Sequence, residues 1–228
     1  MTAYRPVPAP RHDLSAEQAL EASRLFRATM ATRRSIRDFS EEPFDLELIR
    51  NALVVANSAP SGANVQPWHF VVVTDREVKR RIREEAEREE KEFYASKASM
   101  AWLAALEPLG TDYRKPHLEK APVVIVVFEV HRSDVTPQPY YVKESVGIAA
   151  GFLLTALHQS GLATLTHTPS PMRFLNKILD RPSYERPYVV IPVGRAAPHA
   201  VVPDITKKEA SEVTTWIPNS TAGHDVSD

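Results

Sequence analysis

Apolar positions recur along this chain at two spacings, and the spacing sets the elements. Leu46, Ile49, Leu53 and Val54 repeat at helical intervals, which predicts a helix over Asp45–Asn57 with one buried face. Ser15 to about Thr32 reads as another helix, with Ser15 and Gln18 at capping-box spacing. Arg76–Phe93 predicts a charged helix, because Arg76–Glu92 holds seven basic and seven acidic residues. Val142–Ser160 is apolar nearly all round and is followed by Gly161 at the position that ends helices. A helix of that kind expects neighbours on every side. Trp68–Val73 predicts a buried strand and Pro122–Val130 a strand apolar on both faces. Ala163–Thr166 and Tyr188–Val193 read as two more strands, Met172–Leu179 as a short helix, and the stretch 200–217 as extended. Long helices and few, separated strands point to an α+β fold, a small sheet covered by helices.

Composition narrows the function classes. The chain has 228 residues with a formal net charge of −1, which argues against a nucleic-acid binder, since those show a basic excess. There is no cysteine, so disulfides, thiolate metal sites and a cysteine nucleophile are excluded together, and a reducing, cytoplasmic setting is expected. Glycine is scarce at seven residues, and neither GxGxxG nor GxxxxGK[ST] occurs. The longest apolar stretches, Pro122–Phe128 and Val146–Leu157, fall short of the roughly 18 residues of a membrane span. No membrane partner is expected. The start carries Arg5 and several prolines without an apolar run, so it is not a secretory signal. The expected organisation is a flexible arm over 1–14, one domain over 15–217, and a flexible tail over 218–228.

Three local constellations could carry chemistry. Arg33-Arg34-Ser35-x-Arg37 places three guanidinium groups and a hydroxyl within five residues, a set able to hold a phosphate by charge-assisted hydrogen bonds, although a solvated charged turn looks the same. Ala59-Pro60-Ser61-Gly62-Ala63-Asn64-Val65-Gln66-Pro67-Trp68 joins a predicted helix to a strand; its turn residues can approach a flat ligand or simply connect. Thr164-Leu165-Thr166-His167-Thr168-Pro169 sets alternating hydroxyls at a strand end. The remaining histidines, His117 among them, show no HExxH or similar metal spacing, and GxSxG is missing.

Together these motifs, in this order and spacing, resemble the FMN-dependent nitroreductase superfamily from about Arg33 to Lys208. The middle segment is similar to its iodotyrosine deiodinase branch, through Glu90-x-x-x-Tyr94, Thr111-x-x-x-Lys115, Ala121-Pro122, Tyr140-Tyr141-x-x-Glu144-Ser145, Thr166-x-Thr168-Pro169 and Val202-Pro203-Asp204. The resemblance implies a mixed or antiparallel central sheet in a domain-intertwined homodimer, with one FMN per subunit and NAD(P)H or another reductant as electron donor. It implies that Arg33, Arg34, Ser35 and Arg37 hold the FMN phosphate and ribityl end, that Pro60 and Ser61 lie under the flavin, and that the Thr166 hydroxyl bonds flavin N5, with His167 and Thr168 following. Lys207 falls where the family often has arginine; it keeps the charge and loses the planar fork.

The resemblance also implies an active-site lid over about 85–117 and a halotyrosine or halophenol substrate, reductively dehalogenated in one-electron steps. Glu90 would pair with the substrate ammonium, Lys115 with its carboxylate, Tyr94 would donate a hydrogen bond, and the Ala63 N–H would meet the phenolate. Glu90 and Tyr94 stand four apart, so one helix face presents both. Without the resemblance, Glu90 and Lys115 would be read as two charged residues facing water. General nitroreductase or quinone reductase activity, a flavin-consuming enzyme of cobalamin lower-ligand synthesis, and a non-catalytic flavin-binding protein are the alternatives.

Overall fold

The computed structural model describes residues 4–218; the expected tail beyond Pro218 and the first three residues of the arm lie outside them. The centre is a sheet of four strands in the order β1 (Trp68–Val73), β2 (Val123–Val130), β4 (Glu185–Gly194), β3 (Ala163–Thr164), each pair antiparallel. β2 is apolar on both faces because both faces are covered. Val123, Ile125 and Val127 pack against α2 (Glu47–Asn57) and α6 (Val142–Gln159). Val124, Val126 and Phe128 face the other way, in a cluster with Ile82 and Ala86 of α3 (Arg76–Glu92) and Phe174 and Leu175 of α7 (Phe174–Ile178).

Local chemistry explains the element ends. α1 (Ala16–Ala31) starts at a reciprocal Ser15–Gln18 capping box, as its sequence predicts. α6 stops at Gly161, whose φ of +74° is one that L side chains rarely adopt. α3 spends its long polar surface on ion pairs among its own turns, such as Arg80 with Glu77 and Glu84, and anchors itself through the Val78, Ile82, Ala86 stripe. Its Lys79 is buried and donates to the carbonyls of Ala121 (2.6 Å) and Pro122 (3.2 Å), tying the helix to the strand it covers.

Several expectations are corrected. β1 is a half-buried edge strand, not a buried one, because it pairs with β2 alone. β3 is two residues long; the chain leaves the ladder after Thr164 and returns as a single bridge at His167 with Val190. β4 begins at Glu185, whose carboxylate takes a bidentate pair from Arg181 at 2.7 and 2.6 Å. α4 (Met100–Leu106) and α5 (His117–Lys120) were not anticipated. α6 is covered on one face only: Val146, Ala149, Leu153 and Leu157 are buried, whereas Ile148 and Phe152 are 42% and 39% exposed. α1 buries no residue at all, although it carries Leu20, Leu25 and Phe26.

Candidate functional site

A cavity of about 460 Å³ opens between α3, α4 and the segment Leu165–Ser170. The first structural fact about it is how its walls meet. Ser35 bridges Thr164 in parallel, and Ile36 N–H donates to the Thr164 carbonyl at 3.0 Å. That places the arginine segment beside the strand end, so Arg37 and Thr166-His167-Thr168 line the same cavity. Arg34 donates to the Pro203 carbonyl, which brings the Val202-Pro203-Asp204 segment to the arginines and leaves Lys207 exposed a few residues on. Arg33, Arg34 and Arg37 are half-buried and make no ion pair among the described residues. Three such guanidinium groups without counter-charge suit a phosphate ester.

Thr166 and Thr168 are exposed, and His167 between them is buried, the alternation of an extended chain. Both threonines also line a second cavity on the α6 side with Lys143, Gly147, Gly151 and Tyr188, which His167 does not reach. The His167 ring instead lies among Glu90, Lys115 and His117.

The opposite wall is the predicted lid. Glu90 and Lys115 do not face water: Lys115 is 4% exposed and its Nζ lies 3.2 Å from Glu90 Oε2. Tyr94, one turn after Glu90, puts its ring 5.8 Å from the same Nζ. Burial and the Glu90 carboxylate raise the Tyr94 pKa, so it stays a phenol able to donate. Lys115 is held from behind: its backbone N–H donates to Glu87 Oε1 at 2.8 Å, Glu87 takes Arg83 at 2.7 Å, and Arg83 takes Glu119 at 2.7 Å. α3 ends in a π-turn, Phe93–Lys97, where Phe93 packs edge-on to Trp102 of α4 with ring centroids 5.8 Å apart. Trp102, Leu106 and Leu109 complete the apolar wall.

Pro60, Ser61 and Ala63 are not brought to this site. They line neither cavity and sit on a loop after α2, where Gly62 lies so close to the Tyr140 and Tyr141 rings that a Cβ would approach them to 3.1 and 3.2 Å. Ala63, Asn64 and Gln66 all have positive φ, 48°, 54° and 51°, each costing about 1–3 kcal/mol unless its surroundings impose it. Here Ser61 Oγ accepts from Gln66 N–H at 2.9 Å and closes the loop.

The chain matches the nitroreductase family over residues 30–195. It belongs to that family. Within the family it is 51% identical to an iodotyrosine deiodinase of Haliscomenobacter hydrossis over 202 residues, 86% of this chain and 90% of that one. It is 41% identical to iodotyrosine deiodinase 1 of Rattus norvegicus, over 86% of this chain and 70% of the relative. A crystal structure of an oxidized iodotyrosine deiodinase bound to FMN and 3-iodo-L-tyrosine superposes with a TM-score of 0.72 at 33% identity, covering 86% of this chain and 99% of that one. This nitroreductase-family chain thus has the fold its motifs resembled.

Sequence reading missed part of the site. The aromatic wall from α4 went unread, although Ser99 caps that helix, its side chain accepting from Trp102 N–H at 3.2 Å. His117 was set aside for want of metal spacing; nothing local shows that it meets His167, fifty residues on. Among the described residues no helix is long and apolar enough to cross a membrane, and no cluster of three metal-ligating side chains occurs.

Proposed function

We propose that this chain is an FMN-dependent reductive dehalogenase of iodo-, bromo- or chlorotyrosine, acting as a homodimer in a reducing, cytoplasmic setting. One observation carries the reading: a buried Lys115 paired with the largely covered Glu90, with Tyr94 beside them, facing the segment that holds Thr166. A free amino acid brings two opposite charges, and desolvating either without a partner costs several kcal/mol. The cavity supplies both partners in advance. On binding, the pair exchanges partners, Glu90 taking the ammonium and Lys115 the carboxylate, and no buried charge is left alone. A general nitroreductase acting on neutral aromatics has no use for a buried ion pair there.

FMN, reduced by NAD(P)H or another donor, supplies the two electrons of the net change, in which the aryl halide takes up two electrons and a proton and yields the arene and a halide ion. Arg33, Arg34, Ser35, Arg37 and Lys207 would hold its phosphate and ribityl end. Thr166 would offer its hydroxyl to flavin N5, and Thr168 shares its face. The apolar wall of Phe93, Trp102 and Leu106 excludes water and orders the ring. Pro60, Ser61 and Ala63 act in the second subunit's site: their loop is shaped for contact and stands away from the cavity of its own chain. The uncovered faces of α1 and α6 are where that subunit seats.

Glu90→Gln or Lys115→Ala weakens halotyrosine binding by about 2–5 kcal/mol, the cost of leaving a buried charge unpaired. A neutral halophenol is held as before. Flavin fluorescence quenching with both ligands measures the difference, and equal losses for the two ligands would overturn the assignment.

A further inference from the structure

Two buried side-chain atoms among the described residues lack a hydrogen-bond partner, and they sit on neighbouring rings: His117 Nε2 and His167 Nε2. Both residues are more than nine-tenths buried. Their rings meet edge to face with centroids 6.1 Å apart. The other nitrogen of His167, Nδ1, lies 3.9 Å from Glu90 Oε1, while Glu90 Oε2 is engaged by Lys115.

The hydrogens can be assigned by elimination. A carboxylate only accepts, so the ring nitrogen facing it must carry the proton. A neutral imidazole has one N–H, which leaves His167 Nε2 an acceptor in need of a donor. The neighbouring orphan atom, His117 Nε2, is that donor once it carries the His117 proton. Neutral rings are what this place favours: burial, then Lys115 and Arg37, depress both histidines, with His117 also acting on His167, and Glu90 is the acidic group facing them. An imidazole–imidazole hydrogen bond of about 2.9 Å puts centroids roughly 5 Å apart. Both contacts are therefore about 1 Å longer than the bonds they become, and such bonds are often long before the ligand arrives.

We infer that His117 and His167 form a buried donor chain, His117 Nε2–H to His167 Nε2 and His167 Nδ1–H to Glu90 Oε1, that fixes the orientation of the Glu90 carboxylate and so makes the site selective for ligands carrying an ammonium group. His167 and His117 are positioning residues in this scheme. Both line the cavity, and their ring nitrogens act through Glu90. The inference rests on the proposed role of Glu90, and its first test does not.

That test is ¹⁵N spectroscopy of histidine-labelled protein at neutral pH, with resonances assigned through His167→Asn and His117→Phe. His167 shows a protonated Nδ1 and a bare Nε2, and His117→Phe shifts that Nε2 resonance. A bare Nδ1 on His167 overturns the chain outright. The second test is ligand selectivity. The Asn amide can stand where Nδ1–H stood, whereas Gln reaches the Nε2 position instead. His167→Gln therefore weakens bromotyrosine at least about tenfold, the worth of a hydrogen bond to a charged group, and His167→Asn stays within about threefold of the parent. In His167→Gln the matching bromophenol loses less than bromotyrosine does. Equal loss in the two variants, or equal loss for the two ligands, overturns the positioning role. If His167→Gln fails to fold, His117→Phe, which keeps an aromatic ring and removes both nitrogens, must show the same ligand preference in its loss. If the parent binds no halotyrosine, the proposed function fails, and the nitrogen spectrum still decides the chain.

Discussion

Lys115 shows at the scale of one residue what burial demands. Its ammonium is nearly out of water and is met by Glu90, by the Thr111 hydroxyl at 3.4 Å and by the Asp112 carbonyl. A buried charge persists when paired and hydrogen-bonded. The histidines beneath it solve the same problem by staying neutral: burial first, then the cations Lys115 and Arg37, push His117 down to about 4 and His167 to about 3. Between those values and the unfolded value near 6.5, the unfolded chain binds more protons than the native one, so stability falls as pH falls. The loss begins below about pH 6.5 and continues toward the native values. Each histidine removes about 2 kcal/mol between pH 7 and pH 5. Urea unfolding at the two pH values measures it, and His117→Phe removes about half of the difference. Equal stability of the parent at both would mean that neither ring is buried neutral.

At the scale of elements, α3 has to be both a surface helix and a wall of the site. Its apolar contacts with the sheet come from the stripe Val78, Ile82 and Ala86, with Ile82 fully buried. Ile82→Ala therefore costs about 2–5 kcal/mol, measured by urea unfolding, and a loss under 1 kcal/mol would show that the charged face holds the helix instead. This helix was legible from its sequence, as were α1, β2 and α6; α2 was legible in its place but not in its face, since it buries Ile49, Ala52 and Ala56 while Leu46 and Val54 of the expected stripe are 42% and 71% exposed. β3 and α4 were not legible. β3 is two residues whose strand geometry comes from Ser35 and β4, and α4 is seven residues, too short for a period to stand out. The site divides the same way. Arg33–Arg37, Glu90, Tyr94, Lys115 and the Thr166–Thr168 segment were legible as motifs, and the structure gathers Arg37 and the rest into one cavity. The His117–His167 contact was not, because it exists only after β2 and β4 have set two distant segments side by side.

The whole molecule presents apolar surface that one chain cannot cover. Leu25 is 61% exposed, Trp216 is 86% exposed, and the outer face of α6 adds Ile148 and Phe152. A monomer seldom leaves this much open unless something docks there. Phe152→Asp is expected to yield monomers in sedimentation and to release FMN, since Pro60, Ser61 and Ala63 would then reach no site. A wild-type monomer holding a full complement of FMN would refute the shared site. The central claim is chemical. It is tested most directly by reducing the FMN-loaded protein anaerobically and offering iodotyrosine, bromotyrosine, chlorotyrosine and a nitroaromatic side by side. The account predicts one halide and one tyrosine for each two electrons withdrawn, with the halotyrosines consumed ahead of the nitroaromatic. Rapid reduction of the nitroaromatic with no halide released from any tyrosine would contradict it.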